Sequence, residues 1–275
     1  MTQPDSPSAQ NTFNISNSSV TNVTGSGSIS YREAAQEAAQ EAALSQETDE
    51  LPKKVILFLA ANPLSTRPLR LDEEMREIEA ELRRSKHRDR FELKQQWAVR
   101  TRDLLRSLLD SQPHIVHFSG HGMGQSTAHV AIEGATEGAA EGTREISFVG
   151  SKEAIEEGLI LEDSMGQPKL VETEALGALF KLFSESVECV VLNACYSERQ
   201  AAAIAQHIPY VIGMNQAIGD RAAIEFAVGF YEALGAGQSI EKAYASGCVA
   251  IQISGIPEHL TPKLIHTPPE PRANG

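Results

Sequence analysis

The sequence has few of the features that are typical of a membrane protein, a secreted protein or a metal-binding protein. Its 275 residues include only three cysteines, and no apolar run approaches the roughly 20 residues that a membrane-spanning helix needs. The first residues show no basic start followed by an apolar stretch, so we expect a cytoplasmic protein with free thiols. No CxxC pair occurs, and we predict neither a structural zinc site nor a cofactor.

Basic residues are also scarce: the sequence has 24 lysines and arginines but 37 aspartates and glutamates. The resulting net charge of −13 argues against a general nucleic-acid binder, which would need cations for the phosphates. The acidity is concentrated in two segments. Residues 1–50 hold seven acidic residues and one basic residue, and residues 122–157 hold seven acidic and two basic. We expect protein partners, with no role for nucleic acid or membranes.

The N-terminal part differs in composition from the rest. Residues 1–31 are rich in Ser, Asn, Thr and Gly, which fits either a disordered tail or a polar β-segment that stacks with copies of itself. Residues 32–52 contain a repeated AAQE unit of good helix formers, which predicts a helical linker. Residues 1–50 are therefore candidates for self-assembly or for contact with an upstream activator.

Residues 53–265 alternate between strand-like and helix-like segments. KKVILFLAANP, HIVHFSGHG and VECVVLNAC have the continuous apolar runs of strands that are buried on both faces. Residues 69–84 have the apolar spacing of a helix, and residues 158–171 are typical of a hairpin. The alternation predicts an α/β domain with a mainly parallel sheet and helices on both faces. Residues 266–275 are expected to be a disordered tail.

An acidic segment interrupts this pattern. Residues 122–157 are dominated by Gly, Ala and Glu and show neither the strand nor the helix period. A structureless stretch of this length is uncommon inside a compact domain and is often functional. We predict that this segment is an insertion that borders the reactive site expected at residue 121 and regulates access to that site.

Two strand ends carry reactive side chains. HFSGHG ends with His121 and Gly122, and LNACYS contains Cys195. Sites in open α/β sheets form at the carboxyl ends of the strands, so we expect both side chains at one edge, where imidazole and thiol form a base–nucleophile pair. An imidazolium, and a helix starting at Cys195, would lower the thiol pKa from its usual value of about 8.5.

The neighbouring residues have more modest predicted roles. The backbone N–H of Gly122 is expected to bind a developing oxyanion, together with the N–H of Cys195. His117 is interpreted as a residue packed against the sheet or supporting the site, and Cys189 and Cys248 as core residues. GHGMG is a poor match to a phosphate-binding loop, because no third glycine and no helix follow it.

The order of these motifs resembles the caspase-like clan of cysteine peptidases. HFSGHG and LNACYS, followed by GMNQAIGDRAAIEFAVGFYEALG, most resemble its CHAT domains, over roughly residues 53–254. The resemblance implies a caspase-like fold and a peptidase mechanism in which His121 is the general base and acid and Cys195 is the nucleophile. NACYS differs from the caspase QACRG pattern, so specificity for aspartate is not implied.

The same resemblance suggests which residues bind the substrate. Asn193 stands where metacaspases carry an acidic pocket residue, and Asp220 stands where separase-like members carry one. If Asp220 lines the pocket, it would favour Arg or Lys before the cut. The alternative is that Asp220 caps the helix that follows it.

The leading hypothesis is a cytoplasmic cysteine endopeptidase that acts on specific proteins and stays inactive until triggered. CHAT proteins that resemble this one are often effectors in bacterial defence or cell-death systems, which extends the hypothesis to such a role. Two alternatives remain open: a non-catalytic scaffold or adaptor that assembles through its N-terminal segment, and a small-ligand sensor that uses the same sheet edge. The presence of both His121 and Cys195 favours the enzyme.

Overall fold

The computed structural model describes residues 53–124 and 157–268. The predictions for residues 1–52 and for almost all of the insertion, 125–156, lie outside the described residues. Residues 269–275 of the predicted tail lie outside them as well.

The described chain contains a six-stranded sheet. Its strands are β1 (Lys54–Ala60), β2 (Phe91–Gln96), β3 (Ile115–Ser119), β7 (Cys189–Asn193), β8 (Tyr210–Met214) and β9 (Pro262–His266). They lie in the order β2-β1-β3-β7-β8-β9, and neighbouring strands are parallel except for β8 and β9, which are antiparallel. A second, antiparallel sheet contains β4 (His121–Met123), β5 (Gly158–Glu162) and β6 (Pro168–Glu172), of which β5 and β6 form the predicted hairpin.

Helices cover both faces of the large sheet, as the alternating pattern predicted. They are α1 (Leu71–Arg84), α2 (Thr101–Ser111), α3 (Thr173–Lys181), α4 (Glu198–Ile204), α5 (Asp220–Gly235) and α6 (Ile240–Ile253), with a short 3-10 turn at Arg88–Arg90. One apolar cluster lies between the sheet and α1, α5 and α6, and the other lies between the sheet and α2, α3 and α4. None of the described helices has the length and apolar character needed to cross a membrane.

Alternating strand residues divide between these two clusters. Ile56 and Phe58 of β1 pack under α1 and α5, while Leu57 and Leu59 pack on the opposite face. Side chains of a strand point alternately to the two faces, so the continuous apolar runs in the sequence correspond to strands that are buried on both sides. The mainly parallel α/β fold predicted from these runs is confirmed.

Two boundaries differ from the prediction. Gly122 and Met123, placed at the start of the insertion, belong to β4 and pair with Leu159 and Gly158 of β5. His266, placed in the disordered tail, is the last residue of β9. It pairs with Tyr210, and the two rings stack with their centroids 4.4 Å apart. Short strands that pair with distant partners carry too little local pattern to be recognised.

The strand order reverses at β1, which has β2 on one side and β3 on the other. In open α/β sheets, binding sites form outside the carboxyl ends of the strands next to such a reversal. The predicted catalytic residues follow β3 and β7, which lie on one side of this point.

Candidate active site

The pairing of β3 with β7 brings the two predicted catalytic residues to the same place. Ser119 is paired with Asn193 at the ends of these strands. His121 and Cys195 each lie two residues beyond this pair, and both side chains line one cavity at the carboxyl edge of the sheet. The structure therefore brings imidazole and thiol to one site, as the sequence pattern suggested.

The imidazole of His121 is oriented by a backbone carbonyl. Nε2 lies 3.0 Å from the carbonyl oxygen of Arg67, in the loop between β1 and α1. Because a carbonyl oxygen only accepts hydrogen bonds, Nε2 carries the hydrogen and Nδ1 is left as the acceptor. Burial lowers the pKa of His121, and the bond to Arg67 and the charge of Asp220 partly oppose this. The imidazole is therefore neutral at neutral pH and can accept a proton.

The thiol of Cys195 lies in the turn after β7. The backbone N–H of Ile218 donates to Sγ at 3.4 Å, and Sγ lies 3.7 Å from the carbonyl oxygen of the same residue. Burial raises the pKa of Cys195. The hydrogen bond from Ile218 opposes this, and the charges of Asp220 and Glu258 add to it. The thiol is protonated in the resting site.

This finding corrects the expectation of a lowered thiol pKa. Helix α4 does not begin at Cys195: its N-cap is Ser197 and its first residue is Glu198. A helix dipole acts mainly within its first turn, and the cysteine lies before that turn. The imidazole is neutral as well, so neither of the two expected causes of a low thiol pKa is present.

Gly122 lies directly against the backbone of Cys195. A Cβ atom built on Gly122 would lie 2.2 Å from the carbonyl oxygen of Cys195 and 3.3 Å from the Cβ of Ala194. No side chain fits there, which explains a glycine after His121. The oxyanion-binding role of the Gly122 N–H stays a prediction, and the structure places the Gly122 backbone beside that of Cys195.

The turn that carries Cys195 is fixed on both sides. Tyr196 has a left-handed backbone with φ of 55°, and its N–H donates to the carbonyl oxygen of Gln216. The hydroxyl of Ser197 donates to the Leu192 carbonyl and accepts from the Met214 N–H, both at 2.9 Å. These bonds tie the Cys195 turn to β7, to β8 and to the loop that follows β8.

Asp220 lines the same cavity as the two catalytic candidates. It is the first residue of α5, whose N-cap is Gly219, and no side chain caps this helix. The N–H of Gly219 instead donates to Oε2 of Glu258 at 2.7 Å. The helix-cap interpretation of Asp220 is therefore wrong, and the substrate-pocket role stays a prediction.

Asn193, the second predicted substrate residue, is 3% exposed and lines the floor of the cavity. Its Nδ2 donates to Glu74 Oε1 at 2.7 Å and to the carbonyl oxygen of Ala223 at 3.2 Å. Its Oδ1 has no hydrogen-bond partner among the described residues. A buried acceptor without a donor is costly, so a donor from a bound substrate would be stabilised there.

The sequence analysis did not identify Glu74, which also lines the cavity and is 3% exposed. Its signal was a charged residue on the apolar face of α1, next to Met75 and between Leu71 and Ile78. His117, expected to support the site, is fully buried with its Nε2 2.8 Å from Glu74 Oε1.

The other two cysteines lie away from the cavity. Cys189 is fully buried in β7, and burial raises its pKa far above the usual range. Cys248 packs against the core and is partly exposed, so the core prediction holds fully for Cys189 and partly for Cys248. Within residues 53–124 and 157–268, no group of three or more His, Cys, Asp or Glu side chains is arranged to hold a metal ion.

A family model described as the CHAT domain matches residues 6–252, which is most of the chain. No curated protein matches the chain.

Proposed function

The chain belongs to the CHAT domain family, which is related to the caspase-like peptidases, and we propose that it is a cytoplasmic cysteine endopeptidase acting on specific proteins. One observation carries the proposal: His121 and Cys195 lie at the same offset beyond a strand pair and line one cavity. A thiol and an imidazole in one partly buried site are the components of a nucleophile and its base.

In the proposed reaction, Cys195 is the nucleophile and His121 transfers the protons. Nδ1 of His121 accepts the thiol proton while Sγ forms a bond to the carbonyl carbon of the substrate peptide. The carbon–nitrogen bond then breaks as the imidazolium returns the proton to the leaving amine. Water, deprotonated by His121, attacks the thioester, which releases the carboxylic acid product and restores the thiol.

The pKa shifts support proton transfer during the attack rather than before it. The raised pKa of Cys195 keeps the thiol protonated, and the lowered pKa of His121 keeps the base neutral. The Arg67 carbonyl holds the tautomer in which Nδ1 is the base. The N–H groups of Gly122 and Cys195 are proposed to bind the oxyanion of the tetrahedral intermediate.

We also propose that the enzyme prefers Arg or Lys before the cut. Asp220 supplies a carboxylate at the cavity, which attracts a cationic side chain. Asn193 Oδ1 supplies a buried acceptor that a guanidinium or ammonium N–H would satisfy. Both observations favour a donor-rich, positively charged substrate residue.

The biological role is proposed by resemblance to other CHAT proteins: a regulated effector in a bacterial defence or cell-death system. Residues 1–50 would recruit or cluster the enzyme, which raises its local concentration without new contacts at the site. The protonated resting thiol fits an enzyme of low basal reactivity.

The raised thiol pKa also favours a second candidate, a caspase-like scaffold or adaptor that assembles through its N-terminal segment and does not cleave. A peptide-library digest separates the two. We expect cleavage by the wild type, no cleavage by Cys195→Ala or His121→Ala, and retained cleavage by Cys189→Ala, the matched control in the adjacent core. Equal products from the wild type and Cys195→Ala would refute the peptidase. Labelling of Cys195 by iodoacetamide no faster than that of a free thiol, together with no cleavage, would support the scaffold.

A further inference from the structure

A buried carboxylate joins the two strand ends that carry the catalytic candidates. Glu74 lies on α1, and its carboxylate contacts the last residues of β3 and β7. Its Oε1 accepts from Asn193 Nδ2 at 2.7 Å and lies 2.8 Å from His117 Nε2, and its Oε2 accepts from Ser119 Oγ at 2.5 Å. One side chain therefore contacts both strands at once.

His117 extends this cluster to a third element. Its Nδ1 lies 3.1 Å from the hydroxyl of Tyr231, on α5. Burial raises the pKa of Tyr231 well above its ordinary value, so this hydroxyl keeps its proton. Tyr231, His117 and Glu74 therefore form one buried chain of polar contacts that runs from α5 through β3 to α1.

The contacts of Glu74 lie close to the catalytic candidates in the chain. Ser119 precedes His121 by two residues, and Asn193 precedes Cys195 by two. Ser119 and Asn193 are themselves a register pair of β3 and β7. The two side chains that Glu74 holds at the strand ends are therefore each two residues from one catalytic candidate.

Packing alone does not require a carboxylate at this position. The neighbouring residues of α1 on the same face are Leu71, Met75 and Ile78, all in the apolar cluster. Burying a polar group is costly unless it is hydrogen-bonded, and an apolar side chain would avoid that cost. The three polar contacts of the Glu74 carboxylate, in contrast, favour one geometry because hydrogen bonds are directional.

We propose that Glu74 is a positioning residue, whose buried carboxylate ties α1 to the ends of β3 and β7 and so holds His121 and Cys195 in the relative position that the reaction needs. The inference rests on the proposed peptidase function. Glu74 acts through Ser119, His117 and Asn193, and transfers no proton with the substrate. It therefore affects the rate of the chemical step more than the choice of substrate.

The test is Glu74→Gln, which keeps the shape of the side chain and removes its charge. Its control is Glu77→Gln on the same helix, where the side chain is partly exposed and lies beside Arg76. Thermal unfolding, kcat, KM, the preference at the cut and the rate of Cys195 alkylation are measured for both. A misplacement of about 1 Å costs on the order of a hundredfold in rate, so we expect kcat of Glu74→Gln to fall tenfold to a hundredfold.

The expected pattern is specific to positioning. In Glu74→Gln, kcat falls, KM and the cut preference stay close to wild type, and the alkylation rate changes, while Glu77→Gln matches the wild type throughout. Ser119→Ala, which removes one of the three contacts, is a milder variant in case Glu74→Gln does not fold, and its kcat should fall by a smaller factor. Unchanged kcat per folded molecule in these variants would overturn the inference.

Two further outcomes separate this inference from the proposed function. A loss confined to KM for basic residues would assign Glu74 to the substrate pocket and overturn the positioning role. If the wild type cleaves nothing, the peptidase proposal fails. The alkylation rate then still decides, because an altered rate in Glu74→Gln supports the coupling of Glu74 to Cys195 and an unaltered rate refutes it.

Discussion

Replacing Gly122 with alanine should disable the site while leaving most of the fold intact. The new Cβ would lie 2.2 Å from the carbonyl oxygen of Cys195, about 1.2 Å closer than the 3.4 Å at which ordinary contact begins. The atom it meets belongs to the backbone, so β4 and the Cys195 turn must move apart by about that distance. A misplacement near 1 Å costs on the order of a hundredfold in rate, which is the expected loss of kcat/KM.

The accompanying loss of stability should be moderate. Forcing an extra methyl into a packed position costs about 1–3 kcal/mol, so thermal unfolding should still be cooperative at a lower temperature. Gly177→Ala is the matched control, because its Cβ would be 3.4 Å from the nearest atom, the carbonyl oxygen of Ala203 in the neighbouring helix α4. That substitution lies in α3, where alanine favours the helix by roughly 0.5–1 kcal/mol over glycine.

The assay measures kcat/KM on a peptide that the library digest identifies as a substrate. The unfolding temperature and the rate of Cys195 alkylation are measured for both variants as well. We expect Gly122→Ala to lose most of its activity per folded molecule and Gly177→Ala to retain wild-type activity. Wild-type activity and stability in Gly122→Ala would show that the close contact with Cys195 does not exist. The placement of His121 beside Cys195 would then be refuted as well.

Three further predictions follow from the cavity and its surroundings. Asp220→Asn should weaken cleavage after Arg and Lys by about tenfold to a hundredfold, the effect of losing one hydrogen bond to a charged group, and an unchanged preference would contradict the pocket role. Because burial lowers the pKa of His121, the acid-side decline of kcat/KM should have its midpoint below the ordinary imidazole value of 6.5. An acid-side midpoint above 6.5 would assign the base to another residue. Replacing residues 125–156 with a short turn should be tolerated, because Met123 pairs with Gly158. Activity should then change far more than the unfolding temperature, and equal activity would argue against a regulatory insertion.

The apolar blocks predicted the large sheet well because burial on both faces leaves a strong signal in the sequence. β1, β3 and β7 are continuous apolar runs, and each is buried along most or all of its length. β9 is different: Lys263 and His266 interrupt its pattern, and as an edge strand it is only partly covered. Its existence depends on pairing with β8, which the local sequence does not reveal.

The two reactive residues of the candidate site could be predicted from the sequence, but the direction of the shift in the thiol pKa could not. The carboxyl ends of adjacent parallel strands meet at one edge, so His121 and Cys195 followed from topology. The pKa of each group depends on burial and on residues from other elements, because Ile218 hydrogen-bonds to Cys195 and the charge of Asp220 acts on both groups. The expected thiolate also required α4 to begin three residues earlier than it does.

Glu74 shows why a residue beneath a site is the hardest to find from sequence. The helical spacing of α1 places a charged residue, Glu74, on the apolar face, and charged groups of side chains are usually solvated. Its burial results from β3 and β7, whose polar ends, Ser119 and Asn193, lie 45 and 119 residues away in the chain. A buried carboxylate at this position is stabilised by its contacts with Ser119, His117 and Asn193, so the hydrogen bonds of Glu74 and the alignment of the strand ends depend on each other. That mutual dependence is the physical reason to expect a rate defect, and not merely a loss of stability, when the carboxylate is removed.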